Sequence, residues 1–277
     1  MPRPRALLEV VLLLDHWGIL LRICQLASGS KGNSIYIETE KTRILVDAGL
    51  SALQISKRLA EIGVEAETLS AVFVTHEHSD HSRGLGPLSR RYDLPIYLHC
   101  DTHKALPKVG SITERFFEIG ESFTFQDVEV IPFPITHDAI APVGFTFESG
   151  EGKIGVATDL GIATRLVQNR LRQCCALVLE TNHDEEMLRD GPYPWELKQR
   201  IRSHHGHLSN NEGAALFDDV KWAGLQAVFL AHLSETNNTP QLAQQSIESV
   251  LARQNVCQPQ LIVGEPKQVS QCFELGV

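Results

Sequence analysis

Apolar and polar positions along the chain follow two alternating periods. Short runs rich in aliphatic and β-branched residues recur at Arg22 to Ala27, Ser34 to Glu38, Arg43 to Val46, Leu69 to Thr75, Leu94 to Leu98 and Val128 to Phe133. Others lie at Val143 to Phe147, Lys153 to Ala157, Ala176 to Leu179, Leu225 to Ala231 and Leu261 to Val263. Their length and composition predict strands. A helical period intervenes between several of them. In Ser51 to Ile62 the apolar Ile55, Leu59 and Ile62 share a face, Ser51 and Gln54 make a capping box, and Gly63 ends the helix. Ile162 to Arg172 and Trp195 to Arg202 also read as helices. Ser209 with Glu212 forms a second capping box, opening a helix through Val220, and Thr239 caps a helix with Pro240 at its first position.

This order predicts an α/β fold of two packed mixed sheets with helices outside, as a single domain over residues 22–277. Residues 1–21 read as a separate N-terminal extension. Arg3 and Arg5 precede an apolar stretch from Ala6 to Leu14, faintly like a signal peptide. Glu9 interrupts that stretch, Asp15 and His16 follow it, and no Ala-x-Ala site is present, so a short amphipathic extension or an overlong start, without an assigned role, is the better reading. No apolar run approaches the roughly 20 residues of a membrane span, and a cytoplasmic location is expected.

Polar residues mark the ends of the apolar strands: Asp47, His76, Asp159, Glu180 and His232. Side chains on loops at strand ends are how layered α/β scaffolds build sites. The chain carries 25 Lys and Arg against 34 Asp and Glu, a net charge of −9. That excludes attachment to nucleic acid through a broad basic surface, but not a grip on a few phosphates. The six cysteines contain no Cys-x-x-Cys pair and are too sparse for a disulfide scaffold, so buried reduced thiols are expected. Twelve histidines are many for 277 residues, and histidine is the commonest metal ligand.

The densest chemistry is His76-Glu77-His78-Ser79-Asp80-His81, directly behind a predicted buried strand. A tight turn there can aim His76 and His78 at one ion while Asp80 and His81 face another. The segment alone cannot complete two sites, because each ion needs three or more protein ligands with a position left for water.

His76 to His81 resembles the signature of the metallo-β-lactamase-fold hydrolases, and the resemblance runs from about Arg22 to Val263. It implies an αββα sandwich. It also implies later ligands at strand ends, matched by His137 in Ile135-Thr136-His137-Asp138, Asp159 in Val156-Ala157-Thr158-Asp159, and His232 in Leu230-Ala231-His232-Leu233-Ser234. On that resemblance His76, His78 and His137 hold one ion, Asp80, His81 and His232 hold the other, and Asp159 bridges them. Asp47 sits where the family has a supporting aspartate that orients a ligand histidine. Two divalent ions are implied, and mixed histidine and carboxylate ligation suits zinc, manganese or iron.

A finer resemblance is to the YycJ/WalJ-like group, whose members act as DNA exonucleases. It rests on Gly29-Ser30-Lys31-Gly32-Asn33-Ser34, Thr181-Asn182-His183-Asp184, Gly206-His207-Leu208-Ser209-Asn210 and His232-Leu233-Ser234-Glu235 followed by Asn237-Asn238. The tRNA-processing ribonuclease Z branch is similar in having a Glu and a His outside the metal set. The 72 residues between Asp159 and His232 are too few for the inserted domain of β-CASP nucleases.

Together these imply a di-metal phosphodiesterase that hydrolyses nucleic acid as a 5′→3′ DNA exonuclease, with RNA as the alternative substrate. Glu180 and His207 are the expected proton-donating pair, and Asp80 completes the candidate catalytic set. The same metal set serves hydrolases of thiolesters and lactams, and a non-catalytic scaffold is a third class. All seven ligand positions are filled, which counts against the scaffold. Other polar residues are read more plainly: His183 as a phosphate contact or a structural residue in equal measure, His204 and His205 as a solvated loop, His99, Cys100 and His103 as surface loop and core thiol, and Lys31 as facing either a phosphate or water.

Overall fold

The computed structural model describes residues 21–275; the expected extension, apart from Leu21, lies outside the described residues. The strands are β1 (Leu21–Ala27), β2 (Ser34–Thr39), β3 (Arg43–Val46), β4 (Ala71–Phe73), β5 (Pro95–Leu98), β6 (Thr113–Phe116), β7 (Phe123–Phe125), β8 (Val128–Pro134), β9 (Val143–Ser149), β10 (Gly152–Ala157), β11 (Ala176–Glu180), β12 (Ala227–Ala231), β13 (Gln260–Val263) and β14 (Phe273–Leu275). The helices are α1 (Ala52–Glu61), α2 (Ser79–Ser82), α3 (Leu85–Tyr92), α4 (Cys100–Ala105), α5 (Arg165–Leu171), α6 (Glu185–Asp190), α7 (Trp195–Ile201), α8 (Asn210–Val220) and α9 (Pro240–Leu251).

Two seven-stranded mixed sheets form, in the orders β14-β1-β2-β3-β4-β5-β6 and β13-β12-β11-β10-β9-β8-β7. Apolar side chains from both, among them Ile23, Val46, Phe73, Phe145, Val156, Val178 and Phe229, make one fully buried layer between the sheets. The outer face of the first sheet is covered by α1 and α3 through Ile55, Leu59, Leu85 and Leu88. The outer face of the second is covered by α5, α8 and α9 through Val167, Leu171, Phe217, Ala243 and Ile247. The expected two mixed sheets with outer helices are therefore present. Strands buried on both faces explain why so many of the runs read as continuous rather than alternating apolar sequence.

Local expectations differ in detail. The Leu69 to Thr75 run forms only the three-residue β4. Ser51 accepts from the Gln54 backbone at 3.3 Å, half of the expected box, whereas Ser209 and Glu212 make both halves. The helix expected from Ile162 begins only at Arg165. Gly161 and Ile162 donate their backbone N–H groups to Thr136 at 2.7 and 3.0 Å, and Thr164 supplies the cap. Cys100 and Cys272 are half-buried rather than core thiols; the other four are buried. Among the described residues no helix is long and apolar enough to cross a membrane.

Parallel pairing decides where the polar strand ends go. β3 and β4 run parallel, as do β10, β11 and β12, while β8 is returned to their direction by two antiparallel steps through β9. The residues that follow these strands therefore gather at one edge of the sandwich, where open α/β sheets place their ligands.

Candidate metal centre

Three of the strand-end residues leave the sheet in the left-handed conformation: Asp47 at φ 63°, Asp159 at φ 54° and His232 at φ 58°. This costs roughly 1–2 kcal/mol for a residue with a Cβ. It turns the chain sharply, so each side chain points across the sheet edge instead of along its strand. The His76 to His81 turn is held against this edge by backbone bonds. Ala48 donates to His81 at 2.8 Å, and Asn33 donates to Asp80 at 2.7 Å. A Cβ on Gly49 would lie 1.6 Å from the Asp80 carbonyl oxygen, so only glycine admits this approach.

The expected ligands converge in three groups whose ligating atoms lie within 4.8 Å of one another: His76 with His78 and His137, His76 with His81 and Asp159, and Asp80 with His81 and His232. The ring orientations follow from what holds each Nδ1. His76 Nδ1 is 2.9 Å from Thr75 Oγ1, His81 Nδ1 is 2.7 Å from Asp47 Oδ2, His137 Nδ1 is 3.2 Å from the Gly206 carbonyl, and His232 Nδ1 is 2.9 Å from Glu180 Oε1. With Nδ1 donating, each Nε2 lone pair faces the cluster, the arrangement in which partners behind a histidine orient it for a cation. Asp47 also accepts from the Thr75 backbone and hydroxyl at 2.9 and 2.8 Å, so one aspartate fixes two histidines.

Whether this set fits a cation is tested by its unpaired atoms. His76 Nε2, His232 Nε2 and Asp159 Oδ2 are buried without a hydrogen-bonding partner. Such atoms cost about 1–3 kcal/mol each when left unmet; His76 Nε2 belongs to the first groups, His232 Nε2 to the last, and Asp159 Oδ2 stands with the histidines of both, so cations at these positions would satisfy them. At the second group Asn33 Nδ2 lies 2.9 Å from His81 Nε2. An ion there requires that amide to turn aside.

The electrostatics match an acidic cluster balanced by histidines. Burial opposes ionisation of Asp159, but His232 and His81 hold its carboxyl well below the usual carboxylate range. Burial likewise disfavours charge on His81 and His232. Asp159 and Asp47 nevertheless raise His81 well above its ordinary value, and Asp159, Asp80 and Glu180 bring His232 up to about 10. Burial and the neighbouring His81 push His76 well down.

Glu180 and His207 meet: His207 Nδ1 lies 2.8 Å from Glu180 Oε1. Glu180, at the end of β11, is fully buried. The same Oε1 also accepts from His232, while Oε2 accepts from the backbone of Leu160 at 2.6 Å and Leu208 at 3.3 Å. Four donors thus satisfy this carboxylate. Against the burial that would raise it, His207 and His232 hold its pKa to about 2. Asp159, Glu180, His207 and His232 also lie close enough to hold an ion, but the shortest contacts among them are these hydrogen bonds, which favours an orienting role for Glu180.

His78, Asp80, His137, Asp159, His207 and His232 line a cleft of about 300 Å³. The rest of the lining includes polar groups of Ser30, Asn182 and Ser234, a segment at α7 contributing Tyr193, Leu197, Arg200, Ile201 and His205, and Asp138, which pairs with Arg200 at 2.6 Å. A Cβ on Gly206 would come within 2.0 Å of the Ile201 carbonyl, so glycine brings the end of α7 against the loop that holds His137.

Other candidates resolve differently. Lys31 pairs with Glu235 at 2.7 Å on the surface and stays exposed to water. His183 is buried and absent from the cleft lining, whereas His205 lines it. His99 Nδ1 caps α4 by accepting from the Asp101 backbone at 3.3 Å, and the His103 ring packs at a 60° tilt against Phe116 with centroids 5.5 Å apart. Sequence reasoning missed Thr75, Asn33 as a direct neighbour of His81, the Ser28 hydroxyl that accepts from the His232 backbone at 2.7 Å, and Tyr193. Asn33 lies in a quoted motif and could have been singled out. Nothing local marks the other three.

Comparison with known proteins agrees with this architecture. Residues 42–233 match the family described as "Beta-lactamase superfamily domain". The chain is 41% identical over 234 residues to a protein named Exodeoxyribonuclease WalJ from Streptococcus pneumoniae serotype 2 (strain D39 / NCTC 7466), covering 82% of this chain and 87% of that one. It is 40% identical over 235 residues to Exodeoxyribonuclease YycJ of Bacillus anthracis, covering 83% and 89%. Among solved structures, the metallo-beta-lactamase fold protein YhfI of Bacillus subtilis superimposes with a TM-score of 0.69 at 16% identity, over 92% of this chain and 99% of that one. The strand order, the edge at which the histidines and aspartates gather and these matches have one conclusion in common: the chain belongs to the beta-lactamase superfamily, in its metallo-β-lactamase-fold branch.

Proposed function

We propose that this chain is a metal-dependent exonuclease that hydrolyses DNA in the 5′→3′ direction. The observation that carries the reading is the convergence of seven ligand-type side chains, five lining one cleft and His76 and His81 buried with them, beside the Glu180–His207 pair. DNA as substrate draws on the names of the two relatives. His76, His78 and His137 would hold one ion, Asp80, His81 and His232 the other, and Asp159 both; zinc, manganese or iron suits the donors. When bound, two such ions supply a nucleophile near neutral pH and offset negative charge at phosphorus.

The protein's own groups do the rest. Glu180 holds His207 by Nδ1, which leaves Nε2 free to donate a proton to the departing sugar oxygen. Ser30, Asn182 and Ser234 offer polar contacts to the backbone of the substrate, and the apolar surface at α7 offers Tyr193 to a terminal base. The overall charge of −9 is no obstacle, because two divalent ions would outweigh the two ligand carboxylates, Asp80 and Asp159.

Protein loaded with manganese or zinc should degrade 5′- and 3′-labelled DNA from one end, and EDTA should abolish hydrolysis. A fully active metal-free protein, or release of label from the 3′ end first, refutes the corresponding part of the proposal.

His81 and His232 lie 151 positions apart yet are assigned to one ion. Alanine at either should weaken the second ion more than the first, and the double variant should lose little beyond either single one. Losses that multiply place the two histidines at different sites. Tyr193→Ala removes a stacking surface worth about 1–3 kcal/mol per base. The expected result is a KM for oligonucleotide raised about tenfold, with a smaller loss on a nitrophenyl phosphodiester. An unchanged KM removes Tyr193 from the substrate contacts.

A further inference from the structure

β14 pairs antiparallel with β1 in the register Leu21 with Leu275, Arg22 with Glu274 and Ile23 with Phe273. The next step of that register sets Cys24 opposite Cys272. Both side chains lie on the outer face of the sheet, packed in the same apolar cluster, while Ile23 and Phe273 face the layer between the sheets. Cys24 is fully buried and Cys272 half-buried. Residues directly opposite in an antiparallel pair have Cα atoms about 4.5–5.5 Å apart, inside the range a disulfide spans.

We propose that Cys24 and Cys272 form a dithiol that hydroperoxides oxidise to an intramolecular disulfide, fixing β14 covalently to β1. The surroundings divide the roles. Arg22 Nη2 lies 3.5 Å from Cys272 Sγ, and Arg22 is itself held by the Ile62 carbonyl at 2.8 Å and by Glu274 at 3.2 Å. Hydrogen bonding from Cys24 and the charge of Arg22 outweigh burial and the opposing Glu274, and they lower the Cys272 thiol to about 6. The Cys24 Sγ–H donates to the Ser270 carbonyl at 3.4 Å, and the neighbouring Cys272 together with burial pushes Cys24 far up, so it remains a thiol. A low-pKa, half-buried cysteine beside a second thiol is the arrangement of a reactive cysteine with its resolving partner.

The chemistry balances without a further reagent. The Cys272 thiolate attacks one oxygen of the hydroperoxide, the S–O bond forms as the O–O bond breaks, and the departing oxyanion takes a proton from water. Cys24 sulfur then attacks the resulting sulfenic acid. The S–S bond forms, the S–O bond breaks, and hydroxide leaves with the Cys24 proton as water. Two electrons pass from the two thiols to the peroxide. The closed bond ties down a C-terminal segment whose Glu265 carbonyl accepts from Ser28 at 3.1 Å, and Ser28 in turn supports the His232 backbone.

The test is a brief exposure of the intact metal-loaded protein to stoichiometric hydrogen peroxide, followed by alkylation with N-ethylmaleimide and peptide mapping. Two of the six thiols should be lost, recovered as one peptide pair linked through Cys24 and Cys272 and released by dithiothreitol. The half-buried Cys100 is the internal control and should be modified at least tenfold more slowly than Cys272. Cys24→Ser should accumulate a sulfenic acid at Cys272 that dimedone traps, and Cys272→Ser should form no disulfide. If a variant fails to fold, the wild-type map decides alone. Linkage through any other cysteine, or Cys24 and Cys272 remaining alkylatable while Cys100 oxidises, overturns the proposal.

Discussion

His207→Ala is expected to retain its metal and yet cleave ordinary DNA about 10²–10⁴-fold more slowly, the usual cost of removing a general acid. A sugar alkoxide is a poor leaving group and needs a proton as its bond to phosphorus breaks. His207 lines the cleft with Nδ1 committed to Glu180 at 2.8 Å, so its other nitrogen is the one available to donate. A nitrophenyl phosphodiester has a leaving group stable as an anion, and the same variant should lose much less on it. The two substrates therefore separate proton donation from general damage to the site. Equal losses with metal content intact rule out the donor role. Glu180→Gln is a poorer probe, because Glu180 also holds His232 at 2.9 Å. It should disturb metal binding and proton transfer together.

Asp159→Ala is the second large effect. Asp159 lies within 3.2 Å of His81 Nε2, 3.6 Å of His137 Nε2 and 3.4 Å of His232 Nδ1, between the two assigned ion positions. Its removal takes away the proposed shared ligand. Metal analysis should find fewer ions per chain than in the wild type, and the rate on DNA and on the nitrophenyl ester should fall together. That equal fall is the opposite pattern from His207→Ala. A variant with full metal content and unchanged rates would remove Asp159 from the site.

Read from the sequence, the strands were visible because they are buried on both faces, which leaves long apolar runs bounded by turns. The Ser209–Glu212 box, the Thr239–Pro240 start and the His76 to His81 cluster were equally local, since each depends on residues within one turn. The short β6, β7 and β14 left no such mark: their ladders are made with partners distant in the chain, and β6 is mostly exposed. α6 and α7 also show how little burial a short helix needs, because Asp184 caps the first and nothing in the second is buried.

What the sequence by itself determined is the chemistry on offer: which side chains stand at strand ends, and that the chain folds as layered sheets. Which of them meet was decided by the parallel direction of β3, β4, β10, β11 and β12, which brings Asp47, His76, Asp159, Glu180 and His232 to one edge. The tertiary structure alone set Glu180 to hold two histidines, Thr75 to link Asp47 with His76, and Lys31 to pair with Glu235. It also brought Cys24 beside Cys272, 248 positions on. The physical reason is that hydrogen bonds and charge contacts act over about 3–4 Å, and at that range the partner is chosen by strand direction and register, which no local pattern along the chain encodes.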